Sequence, residues 1–124
     1  MTLNEYQEKA MSTCMDSCNN FSYMMLNLVG EVGELSSKVA KMIRKGKFEI
    51  GGESNLRVDI KVMNGDDIET IDKELKLEAG DIAWQLAGLC KVLGWSLEDV
   101  CQANLDKLAS RKARGVIDGN GDER

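Results

Sequence analysis

Neither proline nor histidine occurs anywhere in the 124 residues. Without proline no helix is broken or kinked from within, which favours long helices over a turn-rich sandwich. Without histidine, Ser-His-Asp and Cys-His catalysis, zincin motifs and histidine-based metal hydrolases are excluded. Chemistry on this chain must run on carboxylates, Lys, Arg, Asn and a metal. No apolar run is long enough to span a bilayer, so no membrane partner is expected. No basic run offsets the net charge of −5, which argues against long nucleic acid. The start, Met1-Thr2-Leu3-Asn4-Glu5, lacks the basic and apolar regions of a secretion signal, and a cytoplasmic location is expected. Cys14 and Cys18 stand four apart, but neither Cys90 nor Cys101 makes the second close pair that zinc requires. Reduced, mostly buried thiols are the expectation.

What is present reads as one ordinary globular domain over 1–124. Hydrophobic residues make up 43% and charged residues 30%. A chain of this length buries roughly two-thirds of its unfolded surface. Helical periodicity predicts a first helix over 3–18 and a stronger second from about Phe21 to Lys45. On the second, Phe21, Met24, Met25, Leu28, Val32, Leu35, Val39, Met42 and Ile43 fall in one apolar sector. Lys41, Arg44 and Lys45 crowd its C-terminal end, where the helix dipole favours cations. Alternation in 47–50 and 57–62, between glycines and Asn64, predicts a short β-hairpin or flap near 47–64. A third helix is expected from Ile68 to Leu93 and a fourth from Ser96, its N-cap, to about Ala113. Residues 115–124 form a glycine-rich tail, expected to be flexible. Trp84 falls on the outer face of the third helix and suggests a subunit interface; Trp95 is expected to cap the core.

The chemistry is concentrated in two acidic pairs, Glu31 with Glu34 and Glu78 with Asp81. Residues three apart share a helical face. Counting about 100° per residue, each pair begins at the border of its helix's apolar stripe and steps outward. That phase suits a partly buried cleft between helices better than a solvated surface. Converging carboxylates repel and are costly to desolvate unless a cation sits among them. A hard divalent ion with oxygen ligands is the matching guest: Mg²⁺, with Mn²⁺ as substitute. Lys38 follows Glu34 by one turn, placed to pair with it or to touch phosphate. Asn104, Lys107 and Arg111 share a face of the fourth helix, a pattern suited to phosphate oxygens. Asp118-Gly119-Asn120-Gly121-Asp122 imitates an EF-hand opening, but Glu123 replaces the turn glycine and the calcium reading fails.

Glu31-x-x-Glu34 followed by Glu78-x-x-Asp81, with Asn104-x-x-Lys107-x-x-x-Arg111 downstream, resembles the MazG-like, all-α nucleoside triphosphate pyrophosphohydrolases. The tail, with Arg114-Gly115-Val116-Ile117 and Gly121-Asp122-x-Arg124, is similar to a phage and bacterial branch of them. The resemblance covers 20–45 and 70–124. It implies an antiparallel bundle of about four helices that assembles as a homodimer or homotetramer. It implies Mg²⁺-dependent hydrolysis of (deoxy)nucleoside triphosphates to monophosphate and pyrophosphate. Glu31, Glu34, Glu78 and Asp81 would bind the metal, with Glu34 or Glu31 also acting on the attacking water. Asn104, Lys107, Arg111 and Lys38 would hold the substrate. The alternatives are hydrolysis of another phosphoanhydride, such as phosphoribosyl-ATP, and a non-catalytic helical oligomer with an acidic cleft. Two departures bear on the nucleotide pocket: the gap between Glu34 and Glu78 is long, and Lys112-Ala113 stands where relatives carry an aromatic and a proline.

Overall fold

The computed structural model describes residues 1–46, 48–51, 59–62 and 68–124. Four helices carry the fold: α1 (Leu3–Met11), α2 (Phe21–Arg44), α3 (Ile68–Val92) and α4 (Leu97–Ala113). Two strands, β1 (Phe48–Gly51) and β2 (Asp59–Val62), pair antiparallel with Phe48 opposite Val62. The remainder of the expected insertion, at 47, 52–58 and 63–64, lies outside the described residues.

Each helix start has a local cause. Thr2 and Glu5 form a reciprocal capping box on α1, and the Asn20 side chain accepts from the Tyr23 amide at the head of α2. Ser96 accepts from the Asp99 amide on α4, as its sequence signal indicated. The first helix is shorter than its periodicity suggested. It stops at Met11 because the Ser12 and Thr13 hydroxyls donate to the carbonyls of Lys9 and Ala10, both at 2.6 Å. A single 3₁₀ turn, Asp16–Cys18, then leads into α2.

Helix α2 packs along α3, and α1 lies against α3 and α4. Met24, near the start of α2, meets Ala87 and Cys90, near the end of α3. Met42, near the end of α2, meets Ile71, near the start of α3. The two long helices are therefore antiparallel, with one apolar cluster at each end of their contact. Met11 and Leu97 complete the larger cluster from α1 and α4. Gln7 ties these elements together: its Nε2 donates to the Ala87 and Trp95 carbonyls, and its Oε1 accepts from the Leu97 amide at 2.9 Å.

Both tryptophans depart from their sequence expectations. Trp84 is not on an outer face, because α1 covers that side of α3. Its Nε1 donates to the Ala10 carbonyl at 3.0 Å and to Thr13 Oγ1 at 2.9 Å. Trp95 is 53% exposed rather than capping the core; its backbone, not its ring, is what Gln7 holds. The four cysteines are free thiols, as expected, and burial pushes the Cys90 thiol pKa up.

Helices α2 and α3 pack tightly at Gly88. A Cβ there would lie 2.3 Å from Met24 Sδ and 2.6 Å from Met24 Cε, and Met24 is fully buried. Gly88→Ala is expected to destabilise by about 1 kcal/mol net. Overpacking of ~1–3 kcal/mol outweighs the helix-propensity gain of ~1 kcal/mol. The Tm should fall by about 3–5 °C with helical circular dichroism unchanged. An unchanged or higher Tm would mean that Met24 yields freely.

Candidate metal centre

The antiparallel packing sets Glu31 of α2 against Glu78 and Asp81 of α3. One carboxylate oxygen from each lies within 4.8 Å of the others. Glu31 and Glu78 are half-buried and Asp81 is exposed, so the cluster opens to solvent on one side. Asn27, one turn before Glu31, donates from Nδ2 to Glu31 Oε1 at 2.9 Å and fixes that carboxylate. Lys38 donates to Glu78 Oε1 at 2.5 Å, bringing a cation against the cluster. Its partner is thus Glu78 across the helices, not Glu34 one turn away on its own. The hydrogen bond to Glu78 raises the Lys38 pKa above its ordinary value. Its contribution is therefore complete below the ordinary lysine range and is lost only as pH rises through the raised value.

Glu34 stands outside the converging set. It is exposed, and its carboxylate makes no hydrogen bond among the described residues. Tyr6, from α1, lies near enough to Asp81 for that negative charge to add to burial in raising its phenol pKa. Beside the cluster, Lys38, Lys41, Met42, Lys45 and Glu74 line a cleft of about 200 Å³. One acidic patch thus borders one lysine-rich wall.

The predicted phosphate residues of α4 lie apart from this cluster in their contacts. Residues 102–110, including Asn104 and Lys107, are exposed, whereas Arg111 is buried. Lys107 Nζ and Arg111 Nη2 both meet Asp122 Oδ1 of the tail, at 3.4 and 3.0 Å. Arg111, then Lys107, holds the Asp122 carboxyl below its ordinary value. That contact is intact at neutral pH and is lost as pH falls through the lowered value.

Sequence reasoning missed Asn27 and Asp122. Asn27 had a legible signal, four residues before Glu31 on the same flank. Asp122 was read as part of a failed calcium loop and of the tail's Gly121-Asp122-x-Arg124 pattern, not as a partner of Lys107 and Arg111.

Three carboxylate oxygens at this separation suit a hard divalent cation, and their mutual repulsion gives such an ion something to relieve. Residues 19–116 match the MazG nucleotide pyrophosphohydrolase domain, and the chain belongs to that family. Over 131 aligned residues it is 37% identical to the gene 37 protein of Mycobacterium phage L5, covering the full length of both chains. No solved structure matches it. No helix among the described residues is long and apolar enough to cross a membrane.

If the cluster is built for a cation, neutralising one member should stabilise the metal-free protein. Asp81→Asn is expected to raise the metal-free Tm, relieving about 1 kcal/mol of repulsion, and to abolish any Tm increase that a divalent cation such as Mg²⁺ gives the parent. Paired thermal scans with Mg²⁺ and with a chelator measure both. A variant still stabilised by Mg²⁺ like the parent would remove Asp81 from the metal centre.

Proposed function

We propose that this protein hydrolyses nucleoside or deoxynucleoside triphosphates to the monophosphate and pyrophosphate, with Mg²⁺ as its metal and Mn²⁺ as a substitute. The observation that carries this reading is the convergence of Glu31, Glu78 and Asp81 in a chain of the MazG family. Glu31, Glu78 and Asp81 would hold the metal, and Glu34, one turn along α2, is left to act on the water. The bound ion supplies charge neutralisation of the phosphates and Lewis acidity.

The chain's own residues supply the rest. Asn27 keeps Glu31 in place. Lys38 offsets part of the cluster's charge and lies where it can pass from Glu78 to a phosphate oxygen. Glu34, exposed and uncommitted, is the carboxylate free to orient a water towards the α-phosphorus and accept its proton. Attack there breaks the α–β anhydride bond and releases pyrophosphate. Asn104, Lys107 and Arg111 supply the donors for phosphate oxygens left uncovered.

The working form is a homodimer or homotetramer in the cytoplasm. What supports an oligomer is exposed apolar surface: Met25, Leu26, Val29 and Val32 on α2, and Leu105 and Leu108 on α4.

The test is turnover of the common ribo- and deoxyribonucleoside triphosphates, with pyrophosphate and orthophosphate assayed separately, with and without chelator. Chelator-sensitive pyrophosphate release with equimolar monophosphate is expected. Glu34→Gln should lower kcat by about 10²–10⁴-fold, the span of general-base effects, and leave the Mg²⁺ concentration for half-activation within a few-fold. Orthophosphate with a diphosphate product would place the attack at the γ-phosphorus and overturn the mechanism. Full turnover in Glu34→Gln would remove Glu34 from it.

A further inference from the structure

Arg111 is an unusual arginine. Its side chain is 6% exposed, and its Nε is buried without a hydrogen-bond partner. Its bonds are all made by one nitrogen. Nη2 donates to the Gly121 carbonyl at 3.3 Å, the Asp122 carbonyl at 3.1 Å and Asp122 Oδ1 at 3.0 Å. Nη1 makes no hydrogen bond among the described residues and is not one of the buried unsatisfied atoms. The tail therefore grips one edge of the guanidinium and leaves another edge unpaired. Lys107, one turn earlier, meets the same Asp122 oxygen at 3.4 Å and keeps its other ammonium protons.

The tail that makes this grip is itself tied down. The Arg124 guanidinium donates to the carbonyls of Val116, Ile117 and Gly121, and Arg114 donates to the Arg124 carbonyl at 2.7 Å. Asp122 stays 83% exposed. Water screens its charge, so it weakens the attraction of the two cations for an anion only modestly. Its geometric effect is not screened. A long cation held in one orientation loses less entropy on meeting a phosphate than a free one does.

We propose that Asp122 is a positioning residue, which aims Arg111 and Lys107 at the substrate's phosphates. The proposal rests on the reading of Lys107 and Arg111 as phosphate contacts. It adds the tail to the substrate site as the part that orients them.

The test uses the full chain and inorganic tripolyphosphate, whose binding is followed by calorimetry with chelator present, so that the acidic cluster takes no part. Asp122→Asn should weaken tripolyphosphate binding about tenfold, the scale of one lost charge-assisted hydrogen bond. It should raise KM for the preferred nucleotide similarly while kcat changes by less than about threefold. Because Asp122 acts through its two partners, combining it with Lys107→Gln should weaken binding by less than the product of the single effects. Unchanged or tighter binding in Asp122→Asn, with Lys107→Gln weakened, would overturn the positioning role alone. Unchanged binding in Lys107→Gln would overturn the phosphate reading of α4, and this proposal with it.

Discussion

Helices α2 and α3 meet antiparallel, pinned at one end by Met24 against Gly88 and at the other by Met42 against Ile71. Between these apolar ends one border of the contact carries charge. Glu31 meets Glu78 and Asp81, and Lys38 reaches across to Glu78. Left to themselves, three carboxylates within 4.8 Å would separate. The packing at the two ends keeps them together. Hydrophobic burial at the ends thus offsets electrostatic repulsion in the middle, a trade expected of a functional site and not of a core built for stability.

The remaining elements serve this pair unequally. Helix α1 closes the outer side of α3: Trp84 bonds to Ala10 and Thr13, and Tyr6 comes near Asp81. Helix α4 is anchored through Leu97, Val100 and Cys101 near its start. Beyond them, residues 102–110 are exposed, and the next buried side chain is Arg111. Acids from α2 and α3 therefore sit on the rigid part of the molecule, and the cations of α4 sit on a helix anchored by one end. A helix held that way needs local help to present its side chains in one orientation.

Much of this was legible in the sequence. Spacing by three and a phase at the stripe border put Glu31, Glu34, Glu78 and Asp81 on facing flanks, because a helix converts sequence interval into direction with little ambiguity; the structure brings Glu31, Glu78 and Asp81 together and leaves Glu34 outside. The ends of α2, α3 and α4 followed from the same period and from glycine and serine signals. What failed depended on contacts between elements or on competition within a turn. Trp84 looked outward because the phase of α3 alone cannot say that α1 covers its far side. Trp95 follows the glycine that ends α3, where no period constrains a side chain. The end of α1 was decided by two hydroxyls competing for carbonyls. Asp122 reaches Arg111 through a tail turned by Gly115 and Gly121, both at positive φ, and an aperiodic turn leaves no pattern to count.

The width of the α2 stripe carries one more consequence. At about 100° per residue, Met24, Leu28, Leu35 and Met42 point in nearly one direction, and these are buried or half-buried. Phe21, Met25, Val32 and Ile43 lie roughly 40–100° to one side and are exposed, while Asn27, Glu31, Glu34 and Lys38 lie about 20–120° to the other. The helix thus has an inner apolar face with charge along one border and uncovered apolar surface along the other. A single copy of the chain accounts for the first two only. A second copy of the proposed oligomer, seated on the uncovered border, would bury Phe21, Met25 and Val32 without crossing the carboxylates. The cleft would stay open on the acidic side, where the proposed substrate would enter.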